Sequence, residues 1–141
     1  MQSVIVKKSI SAELADMIIK SAIAAAIAVK KYMVIAIVDE SGHLKTFHRM
    51  DGSALISIEV AQIKAYSAVA NAWGFATHEI FEQSQKSPAT KVGIPLLPNY
   101  TVLGGGFPIR VDGNIVGGIG VSGGSIEEDI SIAQAALEII K

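Results

Sequence analysis

Three histidines, two arginines and a block of glycines are the residues of this chain whose types could do chemistry. His43 and His48 lie five apart in a run that reads as a strand, so they point to opposite faces and cannot share one metal ion within a chain. No HxH or HExxH pairing exists, and no metal site is expected. A lone strand histidine reads first as a surface or hydrogen-bonded group. Haem is the exception, because its iron needs only one or two axial ligands and an apolar slot. His43 or His48 could supply that nitrogen, with Phe47, Phe107 and Tyr100 as apolar walls. Arg49 and Arg110 have the planar fork that holds a carboxylate in two bonds. The competing reading is an ordinary ion pair with Asp51 or Asp112.

Nine of the 13 glycines fall in GGGFPIRVDGNIVGGIGVSGG, residues 104–124. Gly104, Gly105 and Gly106 follow a proline-rich loop and open a strand. Successive N–H groups in such a turn can form an anion-binding nest, and the competing reading is a turn that needs positive φ. The candidate ligand site is therefore placed at the mouth formed by Gly104–Phe107, close to Tyr100 and the Asn99 side chain. Donors without shielding side chains would lie there beside apolar area. Gly118-Ile-Gly120-Val-Ser-Gly123 matches GxGxxG, but the context of a dinucleotide site is missing. The chain ends about 18 residues later, leaving no room for a second strand. Glu127, Glu128 and Asp129 would also repel a phosphate at the following helix. Ser122 lies in GVSGG, which is not a nucleophile elbow.

The elements that position these residues follow from pattern. Residues 3–8, SVIVKK, read as a short strand. Ser11 is a plausible N-cap for a helix over 12–32, with acids early and Lys30 and Lys31 late. That helix is apolar round most of its circumference, the mark of burial on two sides, one of which could be another subunit. Met33–Val38 is an apolar strand, Asp39–Gly42 a turn, and His43–Met50 a returning strand. Ser53–Trp73 reads as a helix stopped by Gly74, and Thr77–Gln85 as a short helix capped by Thr77. Ser87–Tyr100 reads as a loop. Asp112-Gly113-Asn114 between apolar runs marks a hairpin. Gly117, Gly118 and Gly120 within its second strand suggest bulges, or a surface that a helix, ligand or subunit approaches closely. Ser125 with Glu128 forms a capping box for the last helix. Hairpins separated by helices favour an α+β domain with an antiparallel sheet.

With 141 residues, half of them apolar, the chain reads as a single domain over 1–141. Such a domain buries roughly 68–70% of its unfolded surface without a metal or disulfide staple. Twelve basic and 13 acidic residues leave a net charge of −1, which gives no electrostatic footing for nucleic acid. Cysteine is absent, which rules out thiol chemistry and fits a reducing compartment. Met1–Lys8 lacks the apolar core of a signal peptide, and the tract Ile18–Val29 is too short and too alanine-rich to span a membrane. The expectation is a cytoplasmic protein with no membrane partner.

The run GGGFPIRVDGNIVGGIGVSGGSIEEDISIAQAAL resembles the C-terminal signature of the haem-binding HbpS-like family. That family includes GlcG-like proteins and the C-terminal domain of PduO-type corrinoid adenosyltransferases. MVIAIVDESGHLKTFHRMDGSALISIEVAQIKAYSA resembles its other block, a strand, a D-x-x-G turn, a strand, M-D-G-S and an alanine-rich helix carrying Lys64. The likeness covers nearly the whole chain. It implies a profilin-like α+β domain with a five-stranded antiparallel sheet, helices on its faces, and assembly into dimers, tetramers or octamers. It also implies a small ligand, haem or another tetrapyrrole for some members, one of which degrades it. Others sit near glycolate or diol and glycerol metabolism. Some haem-binding relatives use a histidine of the first helix, whereas residues 11–32 contain none here. The adenosyltransferase domain has no counterpart, so that reaction is not assigned. Three expectations result, of which the first two are a haem- or tetrapyrrole-binding module with the slot near Gly104–Phe107, and an enzyme or accessory factor in which Arg49 or Arg110 and the glycine nest hold a small carboxylate or aldehyde. A purely structural oligomerising subunit is the third.

Overall fold

The computed structural model describes residues 1–71 and 73–140. Helix α1 (Ala12–Ala28) leads into strands β1 (Val34–Asp39) and β2 (Leu44–Arg49), then helix α2 (Ser57–Ala70). Helices α3 (Thr77–Ser84) and α4 (Pro88–Gly93) precede strands β3 (Gly106–Val111) and β4 (Asn114–Ser122), and helix α5 (Ile126–Leu137) follows. The sheet is wholly antiparallel in the order β2-β1-β4-β3.

Among the described residues the sheet has four strands, not five. Residues 3–8 form no strand, and Val4, Ile5 and Val6 stand in solvent. The chain is first anchored at Ile10, which is buried and donates its N–H to the Val116 carbonyl at 3.0 Å. Alternating apolar residues indicate a strand only where an edge is available to pair them, and period alone does not supply one.

β1 is buried on both faces because helices cover both. Ile35 and Ile37, with Ile119 and Val121 of β4, face α1 and α5. Val34, Ala36 and Val38 face α2, where Ala61 and Ala65 meet them. On that side β4 carries Gly118 and Gly120. A methyl group at Gly118 would lie 2.6 Å from the Ala65 carbonyl oxygen, and one at Gly120 would collide with that of Ala61. The glycines thus let α2 lie directly on the sheet, and of the readings open to them, close approach of a helix is the one realised.

The β3–β4 hairpin turns through Asp112 (φ 51) and Gly113 (φ 78), two left-handed residues that match strand twist. Its register shifts between Ile109 and Arg110, a bulge that accommodates the odd residue. Ser11 caps α1 through a bond from the Leu14 N–H at 3.1 Å, and Ser125 and Glu128 exchange both bonds of a capping box. Other boundaries differ from the sequence reading. α1 stops at Ala28 instead of residue 32, and Lys30 turns the chain at φ 57. α2 begins at Ser57 and ends at Ala70, capped by Asn71, whose amide bonds the carbonyls of Ser67, Ala68 and Phe75 and so closes the helix before Gly74. The expected loop 87–100 contains α4, started by Ser87 and Pro88. Among the described residues, no helix is long and apolar enough to cross a membrane.

Candidate functional site: an apolar slot beside His78

Thr77 organises the site. It is the first helical residue of α3, not the cap, a place taken by Ala76. Its hydroxyl is thereby free to donate to the Leu103 carbonyl at 2.6 Å and to accept from the Gly106 N–H at 3.0 Å. These bonds tie the start of β3 to α3. They bring the next residue, His78, against Phe107, with ring centroids 5.6 Å apart and planes tilted by 60°.

Between α3, the 102–104 segment and the start of α5 lies a slot of about 410 Å³. His78 forms one wall, and Phe81, Leu103 and Ile126 stand partly in solvent around it. Among the described residues that line it, Glu82 alone carries a formal charge. The Nδ1 atom of His78 is buried and has no hydrogen-bond partner among the described residues. No protein group therefore fixes the tautomer or the orientation of this imidazole through that atom.

Gly104 lines the slot, and the next residue, Gly105, lies against a buried ion pair. Lys64 of α2 reaches Asp129 of α5 at 2.7 Å, with side chains 1% and 3% exposed. Lys64 Nζ also donates to the Val121 carbonyl at 2.9 Å, and Asp129 Oδ1 accepts from the Gly124 N–H at 2.9 Å. Burial pushes the Lys64 ammonium toward its neutral form, and the bond to Asp129 opposes that shift. Burial likewise raises the Asp129 carboxyl, and Lys64 pulls it back. Gly105, at φ +120, makes room for the pair: a methyl group there would lie 2.7 Å from the Val121 carbonyl oxygen and 3.1 Å from Lys64 Nζ.

The glycine block therefore packs and does not present a row of open donors. Gly104, Gly105 and Gly106 are all buried, and the Gly106 N–H already serves Thr77. Phe107 is half-buried beside His78. The other candidates lie elsewhere. His43 sits in the β1–β2 turn, not in a strand, with its side chain 80% exposed and 3.7 Å from Asp39. His48 and Arg49 are exposed on β2, while Phe47 packs toward α2. Since β2 and β3 are opposite edges of the sheet, one chain does not bring His43, His48 or Arg49 to the Gly104–Phe107 segment. Arg110 forms a hydrogen bond to the Gly74 carbonyl at 3.1 Å. Tyr100 lines a separate cleft with Trp73, and Asn99 a groove beside Gly42.

Sequence reasoning passed over His78, Lys64 and Asp129 as site residues. One signal for His78 was present: Phe81 follows it by three, which puts an imidazole and a phenyl ring on one helix face. The ion pair joins residues 65 apart, and nothing local foretells it.

The family model described as haem-degrading protein HbpS-like matches residues 10–138. The chain belongs to the HbpS-like family. It is 39% identical over 110 residues to the corrinoid adenosyltransferase PduO of Salmonella typhimurium, covering 77% of this chain and 32% of that protein. The HbpS-like chain thus spans about a third of that relative's length. It is 40% identical over 89 residues to the protein GlcG of Escherichia coli K12, covering 62% of each. The crystal structure of a PduOC–haem complex superposes with a TM-score of 0.85 at 34% identity, over 94% of this chain and 96% of that one. The arrangement of sheet and helical layers is thus common to this HbpS-like chain and a haem-complexed relative.

Proposed function

We propose that this chain binds haem or another tetrapyrrole in the slot beside His78. The observation that carries the proposal is His78, whose Nδ1 has no hydrogen-bond partner among the described residues, on the wall of a largely apolar slot of about 410 Å³, a volume in the range of small-molecule sites. The solved haem complex of a relative at 34% identity supports the choice of ligand. The residues present fit the group. Phe81, Leu103 and Ile126 offer apolar contact to a flat macrocycle, and His78 offers the nitrogen that haem iron takes as an axial ligand. A bound haem would supply an iron centre. The chain's own part is to hold it, limit its contact with water and set its polarity through Phe107 and Glu82. Titration with haemin, followed by absorbance, tests the proposal: a Soret band that saturates is expected. A signal that grows in proportion to added haemin without saturating, as for adsorption on any apolar surface, contradicts it.

The same reading includes assembly into a homo-oligomer, between dimer and octamer. Met17, Ile27 and Val29 of the α1 region are 51%, 62% and 53% exposed, apolar side chains that this chain leaves uncovered. Light scattering should give a mass of at least twice 14.8 kDa at micromolar concentration, and a single species at the monomer mass overturns this part.

A further inference from the structure

A second concave site lies between α2 and the 94–100 segment, and its residues are not those of the His78 slot. Tyr66, Trp73 and Tyr100 line a cleft of about 480 Å³, with Ile94, Leu97 and Pro98 as its aliphatic side. Among the described residues that line it, none is charged. Trp73 is 69% exposed yet held in place, stacked on Phe75 with centroids 5.8 Å apart and planes 25° from parallel. Asn71, the one amide in the wall, is committed elsewhere: its Nδ2 bonds three backbone carbonyls, and its Oδ1 accepts from the N–H groups of Trp73 and Phe75. The side-chain polar groups left to a ligand are the two phenols and the indole N–H of Trp73.

From this arrangement we infer that the cleft is a binding site for an uncharged, planar heteroaromatic ring of one or two fused rings with a hydrogen-bond acceptor on its edge. Exposed aromatic faces gain most from another flat ring, which stacks on them at low entropic cost. The volume falls within the range of small-molecule sites, in which apolar walls surround a few placed polar groups. Burial, and to a lesser extent the neighbouring Tyr66 phenol, raises the ionisation of Tyr100 above its ordinary value. Tyr100 thus remains an O–H donor across the physiological range. A cation would find aromatic faces but no counter-charge, and an anion would find no cation among the described lining residues.

The chain supplies its own reporter, because Trp73 is its only tryptophan. In a nitrogen-15-labelled sample the single indole N–H resonance reads this cleft alone. Quinoline, neutral at pH 7.5 and bearing a ring nitrogen at its edge, should shift that resonance saturably. Tetramethylammonium and cyclohexanol should not. Tyr100→Phe should weaken quinoline binding about three- to tenfold, the worth of one hydrogen bond, while leaving the thermal midpoint near that of the parent. His78→Ala should leave the titration unchanged, which separates this site from the haem proposal. The inference is overturned if quinoline leaves the indole resonance unmoved, or if all three compounds shift it alike. It is overturned too if Trp73→Arg converts an oligomer into monomers, since the cleft would then be a contact between copies.

Discussion

At the scale of single residues, Lys64 and Asp129 have the most stringent environment. Two charges taken out of water are tolerated because each carries hydrogen bonds besides the ion pair, Lys64 to Val121 and Asp129 to Gly124. Such a pair adds little net stability over apolar residues of the same shape, but leaving one partner alone is costly. Lys64→Met should therefore destabilise the fold by about 3–5 kcal/mol, measured by urea unfolding. Lys64→Met combined with Asp129→Leu should recover most of that loss. If the double variant is no more stable than the single one, the cost comes from lost packing of the lysine stem and not from an orphaned carboxylate.

The capping box of α5 shows how elements were legible and how their pH response follows. Ser125 with Glu128 three residues on was sufficient to place the helix start, because each bond of the box is local. The bond from the Ser125 N–H, and then Lys31 at 3.2 Å, lower the Glu128 carboxyl below its ordinary value. A carboxyl depressed in the folded state stabilises above its unfolded value, near 4.5, and that contribution is lost as the pH falls through the depressed one. Glu128→Gln keeps an acceptor for the cap but does not titrate. The stability gap between parent and variant should therefore be larger at pH 7 than at pH 3, and an equal gap at both removes Glu128 from the acid response. The hairpin at Asp112-Gly113 was legible for the same local reason. What was not legible depended on partners remote in sequence. Residues 3–8 had a strand's pattern but pair with no edge. Thr77 looked like a cap, yet its hydroxyl is spent on Leu103 and Gly106. The glycines of β4 signalled a close approach without naming what approaches. It is α2, and Gly120→Ala, which forces a methyl group against the Ala61 carbonyl, should cost about 1–3 kcal/mol or more in a thermal or urea melt. A melt unchanged by that substitution would mean that α2 moves away from the sheet freely.

Over the whole molecule, sheet order decides which residues can act together. The sequence brought the α+β class and both hairpins into view, together with the resemblance to the HbpS-like family that the comparisons bear out. It could not say that β2 and β3 are opposite edges, which separates His43, His48 and Arg49 from the glycine block in one chain. The histidine that does reach that block comes from α3, carried there by the bonds of Thr77. Haem binding in the proposed slot thus rests on His78. Haemin titrations of the parent chain, His78→Ala, His43→Ala and His48→Ala, each followed through the Soret region, test that claim most directly. A saturable band is expected for the parent and for the His43 and His48 variants, and a weakened or displaced band for His78→Ala. An unchanged band in His78→Ala, with loss in the His48 variant, would contradict it.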